Sequence, residues 1–363
     1  MNVKPKAYIP GLFVYEPGRP LEEVAREHGL QPDSLVKLAS NENALGPSPK
    51  AIEAMQAAIQ NMHLYPDGGV FYLRNALAQQ LGVEPDQLIF GAGSNEIIEL
   101  LGHVFLSPGT NIVMSERAFI IYKLMASTFE AATKMVPMQG FAHDLPRMLT
   151  VIDAKTRIVF IANPNNPTGT VVTHTAIRSF MEKVPDHVLV AFDEAYIELM
   201  DPLDVPPTLD MLKRRSNVIV LRTFSKAYGL AGLRIGYGIA APELIQLLEK
   251  FRQPFNVNAM AQAAALAALA DKDHLERTRD LVEEGLAFFE AHFSEMGLET
   301  VPSVANFLLV ETGEGRKVFE ALQAMGVIVR PMDGYGLPRH IRISIGTAEE
   351  NETCLAAIRK VVA

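Results

Sequence analysis

The sequence predicts an α/β protein built on a mostly parallel sheet and joined to a smaller α+β unit. Between about residues 87 and 240, short continuous apolar runs alternate with helical patterns, as expected for strands buried on both faces. Beyond the helical region Pro242–Met296 the pattern changes. Strand-like Asn306–Val310, Val327–Val329 and Ile341–Ile345 then mix with helical Gly315–Met325 and Ala348–Val362. The expected division is an N-terminal arm over residues 1–44 packing on the small unit, a large domain over 45–270 and a small α+β domain over 271–363. The arm carries a short helix, Leu21–His28, and an extended Leu35–Ala39.

Taken in order, Gln87–Phe90 reads as a strand leading through a Gly-Ala-Gly turn into a helix over Asn95–Phe105. Strand-like Ile112–Met114 precedes helical Phe119–Phe129. Arg157–Ile161, Val188–Phe192 and Val218–Leu221 are the remaining buried strands. In open sheets of this type ligands bind beyond the carboxyl ends of the strands. The segments with chemistry in them fall there.

Composition narrows the function classes. A net charge of −9 without a basic patch argues against nucleic acid. One cysteine, Cys354, cannot form an intrachain disulfide, and no Cys/His cluster has zinc-ligand spacing, so no metal is expected. Residues 1–10 hold no apolar secretory segment, and the Ala-rich stretch Ala259–Ala270 is too short to span a membrane. A cytoplasmic protein with no membrane partner is expected.

Four segments carry the chemistry. Gly91-Ala92-Gly93-Ser94-Asn95-Glu96 joins a strand to a helix, where small residues and free N–H groups suit an anion. An empty glycine turn with Ser94 as N-cap explains it equally well, and a dinucleotide fingerprint fails on the glycine spacing. Asn163-Pro164-Asn165-Asn166-Pro167-Thr168-Gly169 follows a strand and would aim the Asn166 amide above the sheet, although Asn-Pro pairs are also ordinary turn chemistry. Asp193-Glu194-Ala195-Tyr196 closes a buried strand, where a carboxylate is costly unless paired with a cation or strong donors. A protonated pyridine is such a partner; helix capping and a packed tyrosine are the plainer alternative. Leu221–Ala227 delivers Thr223, Ser225 and Lys226 from a strand end, with Arg234 eight residues on. A loop lysine alone is usually a solvated charge. An amine, an acid, an amide, a phenol and a phosphate grip in this order form a complete pyridoxal-phosphate site.

The chain resembles the fold-type-I pyridoxal-phosphate aminotransferases, and within them the histidinol-phosphate aminotransferase family, over nearly its whole length. Besides the segments above, the resemblance rests on Asn41–Pro49, on Leu64-Tyr65-Pro66-Asp67 and on Gly334–Ile343. It implies that Lys226 is the Schiff-base lysine and proton shuttle, that Asp193 pairs with the pyridinium, and that Asn166 and Tyr196 bond the phenolic oxygen. Ser94, Asn95, Thr223, Ser225 and Arg234 would hold the phosphate, with Tyr65 from a neighbouring subunit of a homodimer. Phe119 would stack on the ring where the family often has tyrosine; Ala44 stands where it commonly has proline. Arg330 and Arg342 would grip substrate anions, with Asn43 and a weaker match at Tyr15 beside the substrate. Alternation along Ile341–Ile345 puts Arg342 and Ser344 on one strand face.

The implied reaction is ping-pong transamination between histidinol phosphate and 2-oxoglutarate, with glutamate as the amino-group partner, in histidine biosynthesis. Rival readings are an aromatic amino-acid aminotransferase, a threonine-phosphate decarboxylase needing no keto acid, and a cofactor-free relative.

Overall fold

A computed structural model describes residues 3–14 and 18–362 of the chain. In chain order the strands are β1 Val36–Lys37, β2 Leu88–Gly91, β3 Asn111–Ser115, β4 Ala132–Val136, β5 Thr156–Ala162, β6 Leu189–Asp193 and β7 Val218–Thr223. They continue with β8 Gly236–Ala240, β9 Thr300–Val301, β10 Phe307–Glu311, β11 Val327–Ile328, β12 Arg330–Pro331 and β13 His340–Ser344.

A seven-stranded sheet runs β2-β8-β7-β6-β5-β3-β4. β8 is antiparallel to both its neighbours; the other pairings are parallel. Alternate residues of the same strands feed two separate cores. Val159, Ile161, Val190, Phe192, Val218 and Val220 enter one, while Ile158, Phe160, Leu189, Ala191, Ile219 and Leu221 enter the other. Helices therefore cover both faces, which explains the continuous apolar runs. β5, β6 and β7 lie side by side, so their carboxyl ends open at one place.

A four-stranded antiparallel sheet, β12-β13-β10-β9, packs with the helices Gly315–Ala324 and Ala348–Val362 around Phe307, Val310, Leu322, Ile341, Ile343 and Ile358. The N-terminal segment joins it: Val36 pairs with Val327, and Leu38 enters the same core.

The helical stretch Pro242–Met296 resolves into Pro242–Glu249, Ala259–Leu269 and Lys272–Glu295. Asn258 starts the middle one by accepting from the Ala261 N–H, and small buried faces at Ala261, Ala264 and Ala268 let it pack closely against the helix Pro49–Ala58. Two expectations are corrected. The helix predicted from Phe119 begins at Ile121, leaving Phe119 in the preceding loop. Ser94 is not the N-cap of its helix; Gly93 is, and no side chain caps the helix.

Strand alternation sends Glu194 and Arg222 away from the cleft side. Arg222 donates from Nε and Nη2 to Glu194 Oε2 at 2.9 and 2.8 Å, and Thr208 donates to Glu194 Oε1. The pair staples the ends of β6 and β7 in the interior. Arg222→Met leaves a buried carboxylate unpaired and is expected to cost about 3–5 kcal/mol. The urea midpoint of the first unfolding transition should fall accordingly, whereas Lys213→Ala, which breaks the exposed pair with Asp210, should leave it unchanged.

Candidate active site

The carboxyl ends of β5, β6 and β7 open into a cleft lined by residues from each of the four strand-end segments that carry the chemistry. Ser94 and Asn95 come from the glycine loop, Phe119 from the loop before its helix, Asn166 from the turn after β5, and Asp193 and Tyr196 from the end of β6. Thr223, Ser225, Lys226 and Arg234 complete the lining.

Asp193 closes β6 at 5% exposure, and burial raises its carboxyl to about 6 against the help of its donors. Tyr122 donates to its Oδ2 at 2.5 Å. Oδ1 has no hydrogen-bond partner among the described residues, although the side chain lines the cleft. Such an atom calls for a donor from outside the protein.

Lys226 Nζ donates to the Ser40 and Asn41 carbonyls, both at 3.2 Å, and lies 5.7 Å from the Tyr196 ring centroid. Burial, then the Arg342 and Arg234 charges, lower its pKa to about 8, partly opposed by Glu42 and Asp193. Tyr196 accepts at Oη from Asn41 Nδ2 at 3.0 Å, which leaves its own hydroxyl proton for another acceptor; burial raises it to about 12. Asn166 Oδ1 accepts from Arg342 Nη1 at 2.6 Å. The Asn166 carbonyl is thereby engaged, and its amide NH2 is the end available as a donor.

At the other end, the N–H groups of the helix Ser94–Phe105 start beside Arg234. At Gly93, φ 79°, a Cβ would lie 2.5 Å from Arg234 Nη2, so a side chain there would push the guanidinium aside. Arg234 itself holds φ 57°, a backbone region costly for a side-chain-bearing residue. Thr223 Oγ1 donates to Ser225 Oγ at 3.0 Å. Helix N-terminus, hydroxyls and guanidinium together suit a tetrahedral dianion.

Other expected site residues lie elsewhere. Asn43 does not line the cleft: its Nδ2 donates to the Ala227 carbonyl at 2.9 Å and Thr278 Oγ1 at 3.1 Å, fixing the lysine loop from behind. Tyr65 is 83% exposed and stacks on Phe255, with centroids 4.8 Å apart. Arg330 pairs in register with Arg342 on adjacent antiparallel strands. Tyr15 lies outside the described residues.

Three contributors escaped the sequence reading. Tyr122 touches Asp193, and Asn41 holds Tyr196 while also accepting at Oδ1 from Ser344 Oγ. His143 takes a hydrogen bond at Nδ1 from Ser115 and gives one from Nε2 to the Ala162 carbonyl at 2.8 Å; burial holds it neutral, down to about 4. A tyrosine three positions after Phe119 was visible, but nothing in one dimension aims it at residue 193.

Among the described residues no group of His, Cys, Asp and Glu could hold a metal ion, and no helix is long and apolar enough to cross a membrane. With Lys226 near 8, acylation of that amine by a small reagent should accelerate as pH rises through about 8. An ordinary lysine gains its reactive form near 10.4. Peptide mapping of the labelled, cofactor-free protein across pH 6–11 reads the midpoint, and one above about 10 contradicts the burial argument.

Residues 33–358 match the aminotransferase class I and II family. The chain is 53% identical over 352 residues to the histidinol-phosphate aminotransferase of Akkermansia muciniphila, covering 97% of this chain and 96% of that one. It is 51% identical to histidinol-phosphate aminotransferase 2 of Pseudomonas fluorescens strain Pf0-1, covering 97% and 95%. Among solved structures it is similar to the Sinorhizobium meliloti histidinol-phosphate aminotransferase in complex with pyridoxal-5′-phosphate. The TM-score there is 0.90 at 29% identity, covering 98% of this chain and 97% of that one. The chain belongs to the class I and II aminotransferases, and within them to the histidinol-phosphate aminotransferase family.

Proposed function

We propose that this aminotransferase binds pyridoxal 5′-phosphate and moves the amino group of histidinol phosphate to 2-oxoglutarate, giving imidazole-acetol phosphate and glutamate. The observation that carries the reading is the buried Asp193 Oδ1, without a hydrogen-bond partner among the described residues, in the same cleft as an amine with a depressed pKa. The residues fit the cofactor. Asp193 Oδ1 matches a ring N–H, Asn166 and Tyr196 can each donate to a ring oxygen, and the Ser94 N-terminus with Thr223, Ser225 and Arg234 matches the phosphate. When bound, the cofactor supplies an aldehyde for the amine and a cationic ring that draws electrons from the adjacent carbon.

The chain's own groups do the rest. Asp193, kept ionised, holds the proton at the ring nitrogen. Lys226 Nζ, substantially neutral near pH 8, takes the substrate's Cα proton and gives it back one atom away. Phe119, which lines the cleft from the loop before its helix, would cover the ring. Arg330 and Arg342 are like charges directly opposite each other, an arrangement that repels unless an anion is shared. A substrate phosphate in one half-reaction and a carboxylate in the other satisfies it. Similarity to relatives bearing the histidinol-phosphate name supports this substrate over an aromatic amino acid.

A homodimer belongs to the same proposal. Ile52, Ile59, Leu64, Tyr65, Phe71, Tyr72 and Phe255 are exposed apolar side chains, and Tyr65 stacks on Phe255. In a homodimer paired through these residues, Tyr65 would be the side chain offered to the neighbouring subunit's phosphate. Sedimentation of the active enzyme should give a dimer; full activity in a monomer refutes this part.

Lys226→Ala should abolish the absorption band of the protein–cofactor linkage and lower turnover by at least about 10²–10⁴-fold. Arg342→Lys should raise KM for histidinol phosphate roughly 10- to 100-fold, since hydrogen bonds to charged groups are worth about 1.5–3 kcal/mol. Side-by-side turnover of histidinol phosphate, phenylalanine and threonine phosphate with 2-oxoglutarate tests the substrate. A preference for phenylalanine, or carbon dioxide released from threonine phosphate, defeats the reading.

A further inference from the structure

We propose that Tyr122 is the positioning residue for the cofactor ring: its hydroxyl occupies Asp193 Oδ2, turns Oδ1 to the cleft and keeps the shared proton on the ring. The inference rests on the cofactor reading above and adds a residue to it.

Tyr122 sits in the first turn of the helix Ile121–Thr128, just after the loop that carries Phe119. Its ring is fully buried and wedged in place. It stacks on Phe160 of β5 with centroids 4.3 Å apart and planes 6° apart, and meets Phe119 edge-on at 5.7 Å. A ring so confined cannot choose where its hydroxyl points. The phenol donates to Asp193 Oδ2 at 2.5 Å, and burial plus the carboxylate hold it protonated well above the usual tyrosine range.

The carboxylate has one oxygen engaged by Tyr122 and the other without a hydrogen-bond partner among the described residues, so its role splits between two atoms. The groups acting on Asp193 from the elements around it are Tyr122, the Ala195 N–H, the neighbouring Glu194 and Lys226 beyond β7; Tyr196 feels it across the cleft. Tyr122 and the Ala195 N–H are the hydrogen bonds among them that favour the ionised form, while Glu194 opposes it. Remove the phenol and burial drives the carboxyl toward its neutral form. A carboxyl that takes the ring's proton leaves a neutral ring, which draws electrons poorly.

The plainer alternative makes Tyr122 a core aromatic with a satisfied hydroxyl. Tyr122→Phe keeps the packing and deletes one oxygen, so it separates the two. The readout is the 15N shift of holoenzyme carrying cofactor labelled at the ring nitrogen, followed against pH, together with kcat and KM. In Tyr122→Phe the shift below the midpoint should move from the pyridinium toward the neutral pyridine position, as the proton passes to the more basic carboxylate. Turnover should drop roughly 10- to 100-fold while KM stays within about twofold. Tyr122 replaced by 4-aminophenylalanine retains a weaker donor and should fall between, which decides the matter if the phenylalanine variant does not fold. A 15N shift equal to wild type in these variants, or a loss confined to KM, overturns the proposal. Wild-type protein that takes up no pyridoxal phosphate overturns the functional reading instead, before any variant is compared.

Discussion

Everything in this molecule turns on keeping an ionised carboxylate at the buried end of a central parallel strand. Asp193 is surrounded by apolar side chains of β5, β6 and β7, where an uncompensated charge would neutralise itself. Its donors arrive from a helix on one face and from the backbone just past the strand. The same low-dielectric setting that makes the acid costly depresses the Lys226 amine. Acid and base are thus set against each other by one cause, burial, and by opposite neighbours.

Period-two alternation makes this possible on so few residues. Asp193 and Glu194 are consecutive, as are Arg222 and Thr223, yet one of each pair meets the cleft and the other forms the interior staple. The staple ties β6 to β7 at the place where their ends carry the acid and the lysine. Stability and chemistry therefore share a backbone but occupy opposite faces of it.

The fold was legible where burial wrote itself into continuous apolar runs, as in β5, β6 and β7. It was illegible where other demands shaped the composition. β4, Ala132–Val136, is an edge strand with exposed positions and shows no such run. β8, Gly-Tyr-Gly-Ile-Ala, is glycine-rich because a Cβ on Gly236 would collide with the backbone at Ser94. In the cleft, strand-end motifs were readable because each is local in sequence. Tyr122 to Asp193, Arg342 to Asn166 and Asn41 to Ser344 join residues 71, 176 and 303 positions apart, and no spacing rule reaches so far. Asn43, read as a substrate contact from a resemblance, spends its amide on the Ala227 carbonyl and Thr278, 184 and 235 positions away.

Asn41 adds a dependence that a division into domains hides. At φ 54°, its backbone N–H meets Ser344, its side chain holds Tyr196, and its carbonyl, with that of Ser40, receives the Lys226 ammonium. A short strip of chain thereby links Ser344 of the second sheet to Tyr196 and Lys226 at the edge of the first. Changing the backbone at Ser40 or Asn41 would remove both carbonyls that hold the Lys226 amine, some 185 positions downstream.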